Sequence, residues 1–168
     1  MIKKAIYFSI SLVIAFCMYS CGVYNFTGGS TGNAKTFQVN YFQNTADIVE
    51  PGLDRQFTVS LQDFIQNQTN LSLTTSGADI VFEGEIVDYT ISPMSATAQQ
   101  TAAQNRLTIA VQVTCTNNTD HEKDFNQRFS FYYDYPAASQ INAVKDEAFQ
   151  EIFDRIEQDI FNKAFNDW

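Results

Sequence analysis

From Ile141 onward the apolar residues Val144, Ala148, Phe149, Ile152, Phe153, Ile156, Ile160, Phe161, Ala164 and Phe165 recur every three or four positions. That period gathers them on one stripe of an α-helix, and Glu147, Glu151, Asp154, Arg155 and Gln158 take the other faces. The spacing predicts a long helix over 141–168. A helix with so aromatic a stripe must be covered, so the rest of the chain has to supply a surface for it.

The preceding sequence reads as that surface. Lys35 to Phe42 alternates Phe37, Val39 and Tyr41 against Thr36, Gln38 and Asn40, the period of a half-buried strand. Leu53, Phe57, Leu61, Phe64 and Ile65 return to helical spacing over 51–66, with Pro51 suited to a first turn. A turn at Ser76-Gly77 then leads into a β-rich run in which the apolar phase slips. Ile80, Phe82 and Ile86 share one parity, Val87, Tyr89 and Ile91 the other, which a β-bulge produces within one bent strand. Arg106 to Thr116 alternates cleanly, with Cys115 on its apolar side. After the turn at 117–120, Phe125 to Tyr135 returns antiparallel. The stretch 92–105 has no charge and one large apolar residue, Met94, and reads as a loop. The expected fold is α+β: a two-layer sandwich with two helices on one face of a four-stranded, mainly antiparallel sheet, in the order β-α-β-β-β-α.

With the helices on the side of Leu107, Val111, Phe129 and Phe131, the other side shows Arg106, Thr108, Gln112, Thr114, Asn126, Arg128, Ser130 and Tyr132. Arg106, Arg128 and Tyr132 are the candidate contacts on this face, for a partner or for an anionic ligand. Elsewhere the chemistry is sparse. The single histidine, His121, falls in a polar turn, and three cysteines do not make a zinc site or a disulfide framework. Glu83 and Glu85 share a strand face, where alternating acids keep an open sheet soluble. No catalytic residue, metal site or soluble cofactor is expected. Ten basic residues against nineteen acidic ones, a net charge of -9, exclude a phosphate-backbone binder.

The first residues have the shape of a signal sequence: Lys3 and Lys4, then the apolar run 5–20, then Cys21-Gly22. The run is shorter than the roughly 20 residues a spanning helix needs, and the sequence after it is polar and rich in Gly, Ser and Thr. Ser20 before Cys21 resembles a bacterial lipobox, in which the cysteine thiol is diacylated and the preceding bond is cut. Cys17, behind bulky Phe16, is the poorer acceptor. Residues 1–20 are then a lipoprotein signal peptide, 21–34 a lipid-anchored tether and 35–168 one domain. Removing residues 1–20 takes away Lys3 and Lys4 and no acid, leaving 148 residues at a charge of -11. The diacylglycerol and N-acyl lipid on Cys21 would be its only covalent group, and several acyl chains anchor stably where one does not.

Taken together, the opening 21–28, the strand 35–42, the segment 82–86, the segment 105–109 and the closing 159–168 resemble the Bacteroidetes branch of the LptE family of lipopolysaccharide-assembly lipoproteins. The resemblance implies two helices on a four-stranded sheet and a non-enzymatic role at the periplasmic face of the outer membrane. It implies partnership with the outer-membrane β-barrel LptD, as plug and assembly partner, in moving lipopolysaccharide to the outer leaflet. Contact with lipopolysaccharide itself would fall to Arg106 and Arg128. The alternative is a membrane-anchored periplasmic lipoprotein that binds a small or peptide ligand on its open sheet face.

Overall fold

A computed structural model describes residues 30–94 and 103–166. The expected signal peptide, Cys17, Cys21, the first part of the expected tether and the middle of the expected loop at 92–105 lie outside the described residues. The elements are β1 (Thr36–Val39), β2 (Gln43–Asn44), α1 (Leu53–Gln68), β3 (Ser72–Leu73), β4 (Ile80–Met94), β5 (Gln104–Asn117), β6 (Phe125–Pro136) and α2 (Ile141–Phe165), with a 3-10 turn at His121–Lys123. They build an α+β fold in which the apolar faces of both helices and of the sheet share one core. Buried Phe57 and Phe153 meet edge to face at 5.3 Å, and Phe64 and Phe161 do so at 6.0 Å. Both numbers in these pairs rise together, so the two helices run side by side in the same direction.

The sheet has six strands, not four, in the order β3-β1-β4-β5-β6, with β2 also on β4. β4, β5 and β6 form the expected antiparallel meander, whereas β1 is parallel to β3 and to β4, and β2 is parallel to β4. The parallel pairing follows from α1, whose length carries the chain back to the starting end before β4 begins. Pro51 lies in a turn ahead of α1, and Gly52, at φ 83°, takes the left-handed conformation that opens the helix.

The expected strand 35–42 is broken after Val39. From the pair Val39↔Phe82 to the pair Gln43↔Glu85, four residues advance against three of β4. The extra residue reverses the side-chain phase: Tyr41 turns out to solvent, 55% exposed, and Phe42 enters the core. Gly84 makes this possible. A Cβ there would collide with the Gln112 carbonyl oxygen and come within 2.8 Å of the Phe42 ring, so the absent side chain is the seat of the phenylalanine. The slip read within 80–92 is a bulge as expected, with the register moving between Ile86↔Val111 and Asp88↔Ala110 and Val87 as the extra residue. β4 and β5 run further into the 92–105 stretch than expected, to Met94 and from Gln104.

At the other end of the sandwich, the Ser30 N–H donates to the Phe165 carbonyl at 2.7 Å, and Ala34 is buried. Asp79 clamps the first strand nearby. Its carboxylate accepts from the backbone N–H groups of Lys35 and Thr36 and from the Thr36 hydroxyl. These donors hold the Asp79 carboxyl below its ordinary range. Cys115 lies in the core, where burial pushes its thiol up to about 12, so it is an inert packing residue.

Candidate interaction face

On the side of the sheet away from the helices, the alternation of β4, β5 and β6 brings together every open-face residue expected from the sequence. The cross-strand register sets Arg106 opposite Asp134, Thr108 opposite Tyr132, Gln112 opposite Arg128 and Thr114 opposite Asn126. Arg106 grips Asp134 with two parallel hydrogen bonds, Nε to Oδ1 at 2.7 Å and Nη2 to Oδ2 at 2.8 Å. Its guanidinium also lies 3.5 Å from the centroid of the Tyr132 ring. Planarity lets one group do both, which an ammonium cannot. The hydrogen bonds to Asp134 raise the Arg106 pKa, and the same bonds keep the Asp134 carboxyl low.

Arg128 is paired as well. From β6 it reaches across β5 to Asp88 on β4, Nη2 to Oδ2 at 3.2 Å. Ala110, which stands between Asp88 and Ser130 in the register, supplies a small residue on that route. Tyr132 stacks on Phe131 at 5.4 Å, and Arg155 of α2 approaches the other ring at 5.7 Å to its centroid. Two cations and two rings therefore wrap the outer edge of β6. Toward β2 the face becomes a shallow polar hollow of about 420 Å³, in which Asn40, Gln43, Glu83, Glu85, Gln112 and Asn126 take part. The Asn40 amide donates to Glu83 at 3.2 Å, the Thr45 hydroxyl donates to Glu85 at 3.0 Å, and Gln112 bonds to Asn126.

The arrangement is thus a charge-compensated, hydrogen-bonded polar surface with aromatic faces, suited to lying against another polar surface. His121 stands apart in its turn, with Nδ1 3.0 Å from Asp124, and His, Cys, Asp and Glu form no metal-binding group among the described residues. Sequence reasoning missed Asp88 and Asp134 as the partners of the two arginines. The Arg106–Asp134 pair was available in the register of the hairpin, since the two are direct cross-strand neighbours. The Arg128–Asp88 pair spans three strands and depends on the bulge.

The family described as LptE, lipopolysaccharide-assembly, matches residues 34–164, the whole of the sandwich apart from its first and last few residues. The chain belongs to the LptE family. Its sheet and both helices are therefore the framework of a lipopolysaccharide-assembly family, whose match ends one residue before α2 does. A search of curated protein sequences found no match. Among solved structures, a hypothetical protein from Chlamydia trachomatis is similar in fold, with a TM-score of 0.53 at 11% identity, covering 78% of this chain and 98% of that one. The rare lipoprotein B from Shewanella oneidensis aligns with a TM-score of 0.45 at 15% identity over 73% of this chain and 92% of its own. A minor lipoprotein from Acinetobacter baumannii aligns with a TM-score of 0.44 at 12% identity over 77% and 91%. No helix among the described residues of this LptE-family chain is long and apolar enough to cross a membrane.

Proposed function

We propose that this LptE-family protein is a non-enzymatic lipoprotein, anchored through acyl chains on Cys21 at the periplasmic face of the outer membrane. There it serves as plug and assembly partner of an LptD-type β-barrel that delivers lipopolysaccharide to the outer leaflet. The observation that carries this reading is the open sheet face, on which both arginines are matched to carboxylates. The lumen of a wide transmembrane barrel is polar. A wedge entering it must exchange water for polar wall groups without stranding a charge, and prior pairing of Arg106 with Asp134 and of Arg128 with Asp88 lowers that cost. The family match supplies the pathway, and the tether sequence gives a short leash to the bilayer.

The same pairing ranks the contacts. A lipopolysaccharide phosphate would have to displace Asp134 from Arg106, which is held by two bonds and a ring. Arg128, with its side chain 55% exposed and one bond to Asp88, is the easier cation to recruit. Tyr132, 42% exposed, offers its ring to the barrel wall.

The test is purification of the tagged, intact protein from gently solubilised membranes, with the co-purifying proteins identified by mass. An outer-membrane barrel at near-equal amount is expected. A preparation that carries no barrel, and instead binds a small molecule or peptide at the sheet face, would overturn the plug and leave a ligand-binding lipoprotein.

A further inference from the structure

On the opposite surface from the sheet face, α1 and α2 leave a groove of about 850 Å³ between them. Along α1 it runs from Gly52 to Asp63, and along α2 from Asp146 to Asp154. At 1.5 Å per residue these spans are about 16 and 12 Å, roughly three and two helical turns. The groove is therefore a trough with the length of a peptide segment. Val59, 46% exposed, is its open apolar residue, and the buried Phe149 and Phe153 show only their edges in its floor.

Its charge is one-sided. Asp63, Asp146 and Asp154 line it against a single cation, Arg55. Among the described residues, the ion pairs of Arg106, His121, Arg128 and Lys145 all engage other carboxylates. A fourth carboxylate stands behind the wall. Glu157 is 1% exposed, and its Oε1 has no hydrogen-bond partner. Ser60 bonds to its side chain, and Asp63 and Asp154 act on it through their charges. All three of these neighbours line the groove. A buried acceptor without a donor costs free energy that a donor arriving from outside would recover.

We propose that this groove is a docking site for a basic amphipathic segment of a partner protein. Its apolar side chains would lie on Val59, over the edges of Phe149 and Phe153 in the floor, and a lysine or arginine would enter between Asp63 and Asp154 to reach Oε1 of Glu157. The partner chemistry follows from the charge of the trough and from the missing donor at its acidic end. Anionic ligands are repelled by the same carboxylates. The site faces away from the sheet, so it stands or falls independently of the barrel reading.

The probe is a fluorescein-labelled 14-residue peptide of leucine and lysine in helical register, titrated by anisotropy against the full-length protein in a neutral detergent. A second peptide carries glutamine in place of each lysine. The lysine peptide should bind at least tenfold more tightly. Its affinity should rise between pH 6 and pH 8 as Glu157 loses the proton that burial, with the charges of Asp154 and Asp63, holds up to about pH 7. Glu157→Gln should abolish that pH dependence and weaken binding at pH 8 at least fivefold, and Asp63→Asn with Asp154→Asn should weaken it further. Glu122→Gln, an exposed carboxylate in the 3-10 turn, should change nothing. Equal binding of the two peptides, an unaltered pH profile in Glu157→Gln, or an equal loss in Glu122→Gln would overturn the proposal, the last by showing unspecific attraction to an acidic protein.

Discussion

Glu157 occupies a position that helical spacing assigns to the core, four residues from both Phe153 and Phe161. Those neighbours are buried as the spacing predicts, and the carboxyl is buried with them. Burial raises its pKa from the ordinary 4.5 to about 7, opposed by the Ser60 hydrogen bond and aided by Asp154 and Asp63. The folded chain therefore holds this proton more tightly than the unfolded chain does. Its contribution to stability is fully present below about pH 4.5 and is lost as the pH rises to about 7. Asp79, Asp124 and Asp134 are held low by their donors and act with the opposite sign, losing their contribution as the pH falls. Comparison of Glu157→Gln with the parent isolates the first effect. The variant should gain stability relative to the parent between pH 4.5 and 7, by up to about 3 kcal/mol, and hold that gain at higher pH. Denaturant midpoints across this range check it, and a constant difference would refute it. Glu157 was legible by its phase in the stripe, but reading only apolar letters passes over it. Cys115, an apolar residue in a clean alternation, was placed correctly by the same method.

Among the elements, long periodic segments were readable and short ones were not. α2 and the β4–β5–β6 meander follow from repeated local spacing, and even the bulge left a mark, because Val87 switches the apolar parity of everything after it. β2 and β3, two residues each, have no periodicity to read; they exist because β4 and β1 offer them partners. The break between β1 and β2 is non-local in the same way, since it turns on Phe42 finding the space over Gly84, some forty residues away. Parity at the bulge is what places Tyr89 in the core while Ile86 is there too. Deletion of Val87 would force the strand after it to turn inside out or to shear against β5. The thermal midpoint should fall by about 10 °C or more. A deletion variant that melts within a few degrees of the parent would show that the extra residue is dispensable.

For the whole molecule, the layers were legible from the order of patterns, and the mixed character of the sheet was not, because strand direction depends on connections rather than on periodicity. The anchor is a question at this scale too, since a lipid on Cys21 would act on the entire body. If Cys21 carries the lipid, Cys21→Ala should yield either a soluble periplasmic form or an uncut precursor, with no acyl chains by intact mass. Acylation that persists in the variant would move the anchor to Cys17.

The bond from Ser30 to Phe165 places the first described residue beside the end of α2, at one corner. The near end of β5, at Asn117, is on that side, and its far end, at Gln104, is thirteen residues away, ~44 Å along a strand. The molecule therefore has a built-in ruler. A fluorophore on Asn166 reports from the corner of Ser30, and one on Gln104 reports from the far side. Measuring both against a dye in the bilayer would give the tilt of the body on its membrane.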